Sequence, residues 1–208
     1  FSAAVSVGNE ASIDLVDCME YLGACPHTKV IALYIEGISR GAEFMETARA
    51  IVPPKPIVAL YVGASEEGRR AGRSHTGSLS GPNEIYDGVF KQSGIVRAHN
   101  LSELFDYALA LGTLPRPRGN RVVIQTHSGG PGATAADACG RAGLTLSKLS
   151  EETVEKLAPM IPKTASTANP VDVTFSRNFA ENFFDIPDAL LGDENVDILL
   201  AYFLYPGL

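Results

Sequence analysis

At 208 residues the chain has room for one large domain or two small ones, and its 45% apolar and 20% charged content is that of a soluble globular protein. A net charge of −7 argues against a general binder of nucleic acid or anionic membrane. No apolar run is long enough for a membrane span, and no signal peptide opens the sequence.

Taken in order, Ser2 to Val7 reads as a short strand and Gly8-Asn9-Glu10-Ala11 as a turn. Ser12 has the character of an N-cap, with Asp14 in the first turn of an amphipathic helix that ends near Gly23. Lys29 to Ile35 is an almost continuous apolar run, expected as a buried parallel strand closed by Glu36-Gly37. Ala42 to Val52 follows as a helix, stopped by Pro53, Pro54 and Pro56, and Ile57 to Val62 as a strand. Gly63 to Arg73 then leads into the polar loop Ser74-His75-Thr76-Gly77-Ser78. Asn83 to Gln92 reads as a helix, Ile95 to Ala98 as a strand, and Leu101 to Leu111 as a helix behind Asn100. Residues 114–120 combine proline, glycine and arginine without periodicity, as a linker does.

The pattern then restarts. Arg121 to Thr126 is a strand, and Ser128-Gly129-Gly130-Pro131-Gly132 opens a helix to Gly140. Leu144 to Leu149 reads as a strand and Ser150 as the cap of a helix with Glu151 and Glu152 in its first turn. Thr164 to Thr174 is irregular, Phe179 to Leu191 a helix, and Val196 to Tyr205 a strand. Alternating strands and helices predict α/β architecture: two flavodoxin-like parallel-sheet domains, residues 1–113 and 121–208, the second cut short. Phe1 is not an initiator methionine, so a longer polypeptide is expected. Cys18, Cys25 and Cys139 are odd in number and scattered, as reduced thiols of a cytoplasmic protein are. Cys18, Cys25 and His27 lack a second ligand cluster with zinc spacing, and no metal site is assigned.

Ligands of open parallel sheets gather beyond the carboxyl ends of the strands. Three features of the first domain are expected there: Gly8-Asn9 after the first strand, Glu36 after the second and the His75 loop after the third. A helix N-terminus attracts phosphate, and a carboxylate that accepts one ring N–H leaves the other imidazole nitrogen free as a nucleophile. Histidine, carboxylate and anion cradle together are what transient phosphoryl transfer to histidine requires. Each has a plainer reading: a polar surface loop, a strand-end acid, an ordinary helix start. In the second domain Gly130, Gly132 and Ala135 fit the dinucleotide fingerprint ending in alanine. Glu151 lies near the distance of a ribose-binding acid but is equally a first-turn helix acid. His127, just before this turn, reads as a neighbour of the site.

The sequence resembles the NDP-forming acyl-CoA synthetases, which include ADP-forming acetyl-CoA synthetase, and the related succinyl-CoA synthetases. The resemblance is carried by Val5-Ser6-Val7-Gly8-Asn9-Glu10, Tyr34-Ile35-Glu36-Gly37, Ser74-His75-Thr76-Gly77-Ser78, Ser128-Gly129-Gly130-Pro131-Gly132 and Asn169-Pro170-Val171-Asp172. It implies that His75 carries the phosphoryl group and that Glu36 orients it. It implies phosphate held by Gly8, Asn9, Ser74, Thr76, Gly129, Gly130 and Gly132. The implied reaction is acid, CoA and ATP giving acyl-CoA, ADP and phosphate, reversibly. CoA and Mg²⁺-bound ATP or ADP would bind a CoA-binding domain and an ATP-grasp domain not contained in these residues, in the same polypeptide or on a partner subunit. The substrate would be a small carboxylic acid, the enzyme an oligomer, and this piece alone inactive. His127 stands where many relatives have asparagine or a small polar residue, and Tyr61-Val62-Gly63-Ala64 departs from the lysine-bearing form common there. Two alternatives remain on sequence grounds: a non-catalytic ligase-like module of a protein acetyltransferase, and a dinucleotide-binding oxidoreductase domain built on Gly130 and Gly132.

Overall fold

The computed structural model describes residues 1–63, 65, 67, 81–162, 165–176 and 178–204. The chain folds as two compact units, Phe1–Pro115 and Arg116–Leu208. No helix among the described residues is long and apolar enough to cross a membrane.

The first unit is a parallel sheet of three strands in the order β1 (Ile31–Ile35), β2 (Ile57–Tyr61), β3 (Val96–Ala98). Ile31 pairs with Ile57 and Ile35 with Tyr61, while Val58 to Leu60 pair with Val96 to Ala98. β2 is central, and all five of its residues are buried. One face packs against α1 (Leu15–Ala24), α2 (Gly41–Ile51) and α3 (Asn83–Ser93) through Met19, Phe44, Ala48 and Phe90. The other meets α4 (Leu101–Thr113) through Val58, Leu60 and Leu104. β1 is not buried on both faces as its apolar run suggested. Ile31, Leu33 and Ile35 face the core, while Ala32 and Tyr34 are exposed.

Ser2 to Val7 is not a strand among the described pairings. Residues 1–6 are exposed, and Ser2, Ala3, Ala4 and Ser6 offer little apolar surface to bury against the sheet. The first helix starts later than Ser12 suggested. Its cap is Asp14, whose carboxylate accepts from the backbone N–H of Val16 and Asp17, while Asp17 reaches back to the Asp14 N–H. Such a reciprocal box satisfies donors that a lone serine hydroxyl would leave open. At the other end of α1, the Lys55 ammonium donates to the carbonyls of Leu22, Gly23 and Cys25 at 2.8, 2.7 and 2.8 Å.

The second unit is built on β4 (Arg121–Thr126), buried from Val122 to Thr126. β7 (Ile198–Tyr202) pairs along one edge from Val122 to Thr126. The other edge is shared by two short strands, β5 (Thr145–Leu146) at the amino end and β6 (Val171–Asp172) at the carboxyl end, all parallel. Between them the Asn169 side chain takes the place of a strand backbone. Its Oδ1 accepts from Ile124 N at 3.0 Å, and its Nδ2 donates to Val122 O and Ser147 O at 2.7 and 3.1 Å. The strand expected over Leu144 to Leu149 is therefore only two residues long, and the stretch expected to be irregular contains β6. One face of β4 packs on α5 (Gly129–Arg141) through Val122, Ile124 and Cys139. The other packs on α6 (Glu151–Leu157) and α7 (Ile186–Leu191) through Val123, Leu157, Ile186 and Leu190. The helix expected over Phe179 to Leu191 is present, and it includes a π-helical turn, Glu181–Asp185, that runs into α7.

Candidate functional site

In the first unit the loop after β1 carries Glu36, half-buried at the strand's carboxyl end. Four residues on, Arg40 donates to both oxygens of Asp14 at 2.5 and 2.6 Å and to Asp17 at 2.6 Å. The guanidinium holds the Asp14 carboxyl down to about 2, against burial that pushes it up. The Gly8–Glu10 turn joins the same place: Ser39 Oγ donates to Glu10 at 2.8 Å, and Gly8 and Glu10 take φ of +57° and +54°. Two of the sequence-predicted features, the Gly8-Asn9 turn and the Glu36 loop, are thus brought together.

The helix start expected at Gly8-Asn9 is not there. α1 begins at Leu15, and its first three N–H groups are occupied: Leu15 donates to Glu10 at 3.2 Å, Val16 and Asp17 to Asp14 at 2.9 and 3.1 Å. With these donors taken and carboxylates of Glu10, Asp14 and Asp17 around them, this helix end has no N–H left for phosphate.

The segment between β2 and α3 leaves and returns at the carboxyl end of β2. Gly63 follows the strand with a φ of +105°, a conformation glycine adopts freely. On the return, Gly81 O accepts from the Tyr61 hydroxyl at 2.8 Å. Tyr86 stacks on Tyr61 with ring centroids 3.6 Å apart. His75, Ser74 and Thr76 lie outside the described residues.

In the second unit β4 delivers the chain into α5. The Ser128 cap makes no side-chain hydrogen bond, the first turn holds no acid, and Gly132 N already donates to Ser128 O at 3.1 Å. Pro131 has no N–H, so Gly129 and Gly130 supply this helix end's open donors. The glycines differ. A Cβ on Gly132 would lie 2.8 Å from the Thr126 methyl, whereas one on Gly130 would meet nothing within 4 Å. Gly132 is required by packing, and Gly130 leaves an open approach to the helix end. The Asp172 carboxylate stands beside this start, 3.3 Å from where a Gly129 Cβ would be. It accepts from Thr174 N at 2.9 Å and from the Thr174 hydroxyl, whose oxygen lies 3.1 Å from His127 O, the alternative acceptor for the same proton.

His127 does more than border the site. Its backbone N–H donates to Tyr202 O at 3.1 Å, and its ring meets Phe203 edge-on with centroids 5.0 Å apart. Sequence reasoning passed over Asp172 as a side chain at the helix start. The Asn169-Pro170-Val171-Asp172 word was the one signal that pointed at this edge.

Residues 1–111 match the family described as "Succinyl-CoA ligase like flavodoxin domain". Acetate–CoA ligase [ADP-forming] II subunit alpha of Pyrococcus furiosus is 46% identical over 206 residues, 99% of this chain and 45% of that protein. Acetate–CoA ligase [ADP-forming] I of Archaeoglobus fulgidus is 42% identical over 201 residues, 97% of this chain and 29% of that protein. The solved structure of dinucleotide-forming acetyl-coenzyme A synthetase 1 of Candidatus Korarchaeum cryptofilum, in complex with phosphate and ADP, aligns over 95% of this chain and 43% of its own. Its TM-score is 0.86 at 38% identity. The chain spans less than half the length of these relatives. By the match over its first 111 residues, the chain belongs to the family of succinyl-CoA ligase like flavodoxin domains.

Proposed function

We propose that this chain is the phosphoryl-carrying part of an ADP-forming acid–CoA ligase, interconverting acid, CoA and ATP with acyl-CoA, ADP and phosphate. The observation that carries the reading is the match, over nearly the whole chain, to relatives named as ADP-forming acetate–CoA ligases. Those names favour it over the acetyltransferase-module and oxidoreductase alternatives. Glu151, the would-be ribose acid, is the first residue of α6, placed as a helix-end acid.

In the direction of ATP formation, phosphate displaces CoA from acyl-CoA and leaves an acyl phosphate. His75 Nε2 attacks its phosphorus, the phosphorus–oxygen bond to the acyl group breaks, and the acid departs as carboxylate. Glu36 accepts the Nδ1 proton and steadies the imidazolium character that develops. In the second unit the Gly129 and Gly130 N–H groups are the preorganised donors available to phosphate. Ser74 and Thr76 hydroxyls flank the histidine, and Gly8 and Asn9 enter as a turn beside the Glu36 loop rather than as a helix end. Asp172, held by Thr174, limits how much negative charge the α5 start accepts. The phosphoryl group then passes from Nε2 to ADP. CoA and Mg²⁺-bound nucleotide bind parts outside this chain, a CoA-binding domain and an ATP-grasp domain, in an oligomeric cytoplasmic enzyme.

The test is covalent labelling of the intact protein with ATP carrying label on its γ-phosphate. The label should be acid-labile and base-stable, and it should disappear in His75→Asn. Retention of the label by that variant would overturn the reading.

A further inference from the structure

Two tyrosines stand at the carboxyl end of the first sheet. Tyr61 is the last residue of β2 and Tyr86 lies in the first turn of α3, and they are 4% and 7% exposed. Their rings stack with planes 11° from parallel. Phenylalanine in either place would fill the same space, so packing alone does not call for the two hydroxyls, and a buried hydroxyl must find partners. The Tyr61 hydroxyl donates to Gly81 O at 2.8 Å, across 20 positions of sequence. Gly81 sits close on the stack: a Cβ there would lie 3.2 Å from Tyr86 Cε2. The Tyr86 hydroxyl is hydrogen-bonded with that of Tyr61 and to the backbone at Ile38 and Gly81. Burial pushes this phenol above its ordinary value, the Tyr61 hydroxyl adds to that, and the two backbone groups oppose it. Ile38 is two residues beyond Glu36, and its side chain packs on the core cluster that holds both rings. The strand register completes the frame. Tyr61 pairs with Ile35, and Val62 N donates to Ile35 O at 2.9 Å, so Glu36 leaves β1 beside the place where the chain leaves β2. The chain that departs at Val62 and returns at Gly81 is tied at both ends to the loop that carries Glu36.

We propose that Tyr61 and Tyr86 are positioning residues for phosphoryl transfer: their hydroxyls fasten the return of the His75-bearing segment to the Glu36 loop, so that the imidazole is presented to the carboxylate. The inference rests on the ligase reading and adds to it the residues that set the approach of His75 to Glu36. Neither tyrosine takes a step in the chemistry; each acts through the geometry of the other two residues. That geometry is worth fastening, because a misplacement of about 1 Å between reacting groups can cost about two orders of magnitude in rate. Tyr61 opens the Tyr61-Val62-Gly63-Ala64 stretch, in which the sequence departs from the lysine-bearing form, so the phenol at this place belongs to this chain and not to that form.

The experiment is a double-mutant cycle on the intact ligase, read as the rate of His75 labelling from ATP that carries label on its γ-phosphate. Tyr61→Phe keeps the ring and removes the donor. It should slow labelling by at least roughly tenfold in the wild-type background, and by no more than about twofold where Glu36→Gln has already removed the partner it serves. A purely structural loss would act by the same factor in both. An equal factor in the two backgrounds, or no slowing in the wild-type one, overturns the proposal. If Tyr61→Phe does not fold, Tyr86→Phe goes through the same cycle and decides in the same way. If the wild-type protein takes no label, the ligase reading falls, and the tyrosines are judged by titrating the His75 imidazole through its nitrogen resonances. That titration should lie higher in wild type than in Glu36→Gln, and Tyr61→Phe should bring it down to the Glu36→Gln position. A titration that Tyr61→Phe leaves in place overturns the proposal.

Discussion

The Asn169 side-chain oxygen accepts from the Ile124 backbone N–H at 3.0 Å, in the interval of the β4 edge that neither β5 nor β6 covers. With its two amide donations to Val122 and Ser147, one residue satisfies three backbone groups of a sheet interior. Asn169→Ala would take this partner from the Ile124 N–H and the Ser147 carbonyl, while Val122 O keeps the Ser147 N–H at 2.8 Å. The second unit should lose about 2–4 kcal/mol, with a fall in Tm of at least about 8 °C in a thermal melt. Asn169→Asp should not rescue it, because the carboxylate supplies no donor.

This same edge marks the limit of what the sequence made legible. The strand–helix alternation was readable because apolar runs and helical periodicity are local, and β2, β3 and β4 lie where those runs fall. The Asn169 side chain replacing a strand was not readable: its three partners lie 22 to 47 residues away. The residues 164–174 therefore looked merely irregular. The α1 cap was misplaced because Ser12 and Asp14 are both good capping residues, and Arg40, distant in sequence, decides between them. The glycines of α5 were found, yet only the packing around them separates Gly132 from Gly130.

That separation gives two opposite expectations. Gly132→Ala forces a methyl against Thr126 and should cost about 1–3 kcal/mol of unfolding free energy. Gly130→Ala meets open space and should leave the urea midpoint unchanged or slightly higher. Its effect should fall on chemistry: a Cβ in the approach to the α5 start should slow His75 phosphorylation by at least roughly tenfold. Measuring both properties on both variants tests the assignment, and a Gly130→Ala enzyme of full activity would remove the phosphate from this helix end.

Glu36→Gln keeps the size of the strand-end side chain and removes its charge. Phosphorylation of His75 from labelled ATP should slow by roughly 10²- to 10⁴-fold in rapid-quench measurements. An unchanged rate would return Glu36 to the role of an ordinary turn residue.

Acid should unfasten the first unit at a defined point. The Asp14 carboxyl is held at about 2, below its ordinary 3.8, first by the Arg40 hydrogen bonds. A depressed carboxylate contributes stability that is whole above its unfolded value and disappears as pH falls through the folded one. The contribution should therefore be complete at pH above about 4 and lost between about 4 and 2. Urea unfolding followed across that interval should show a steeper loss in wild type than in Arg40→Met, in which the carboxylate loses its guanidinium partner. Parallel curves would mean that the pair is screened out by solvent.

Lys55 has a consequence for chemical modification. An ammonium has three N–H bonds, and all three end on carbonyls at the close of α1. To meet an acylating reagent the amine must first give up its bonds to those carbonyls. Among the lysines of the chain it should label late, and once acetylated it could no longer tie the first helix to the strand that follows Pro56. Its modification would accordingly report that the first unit had already opened.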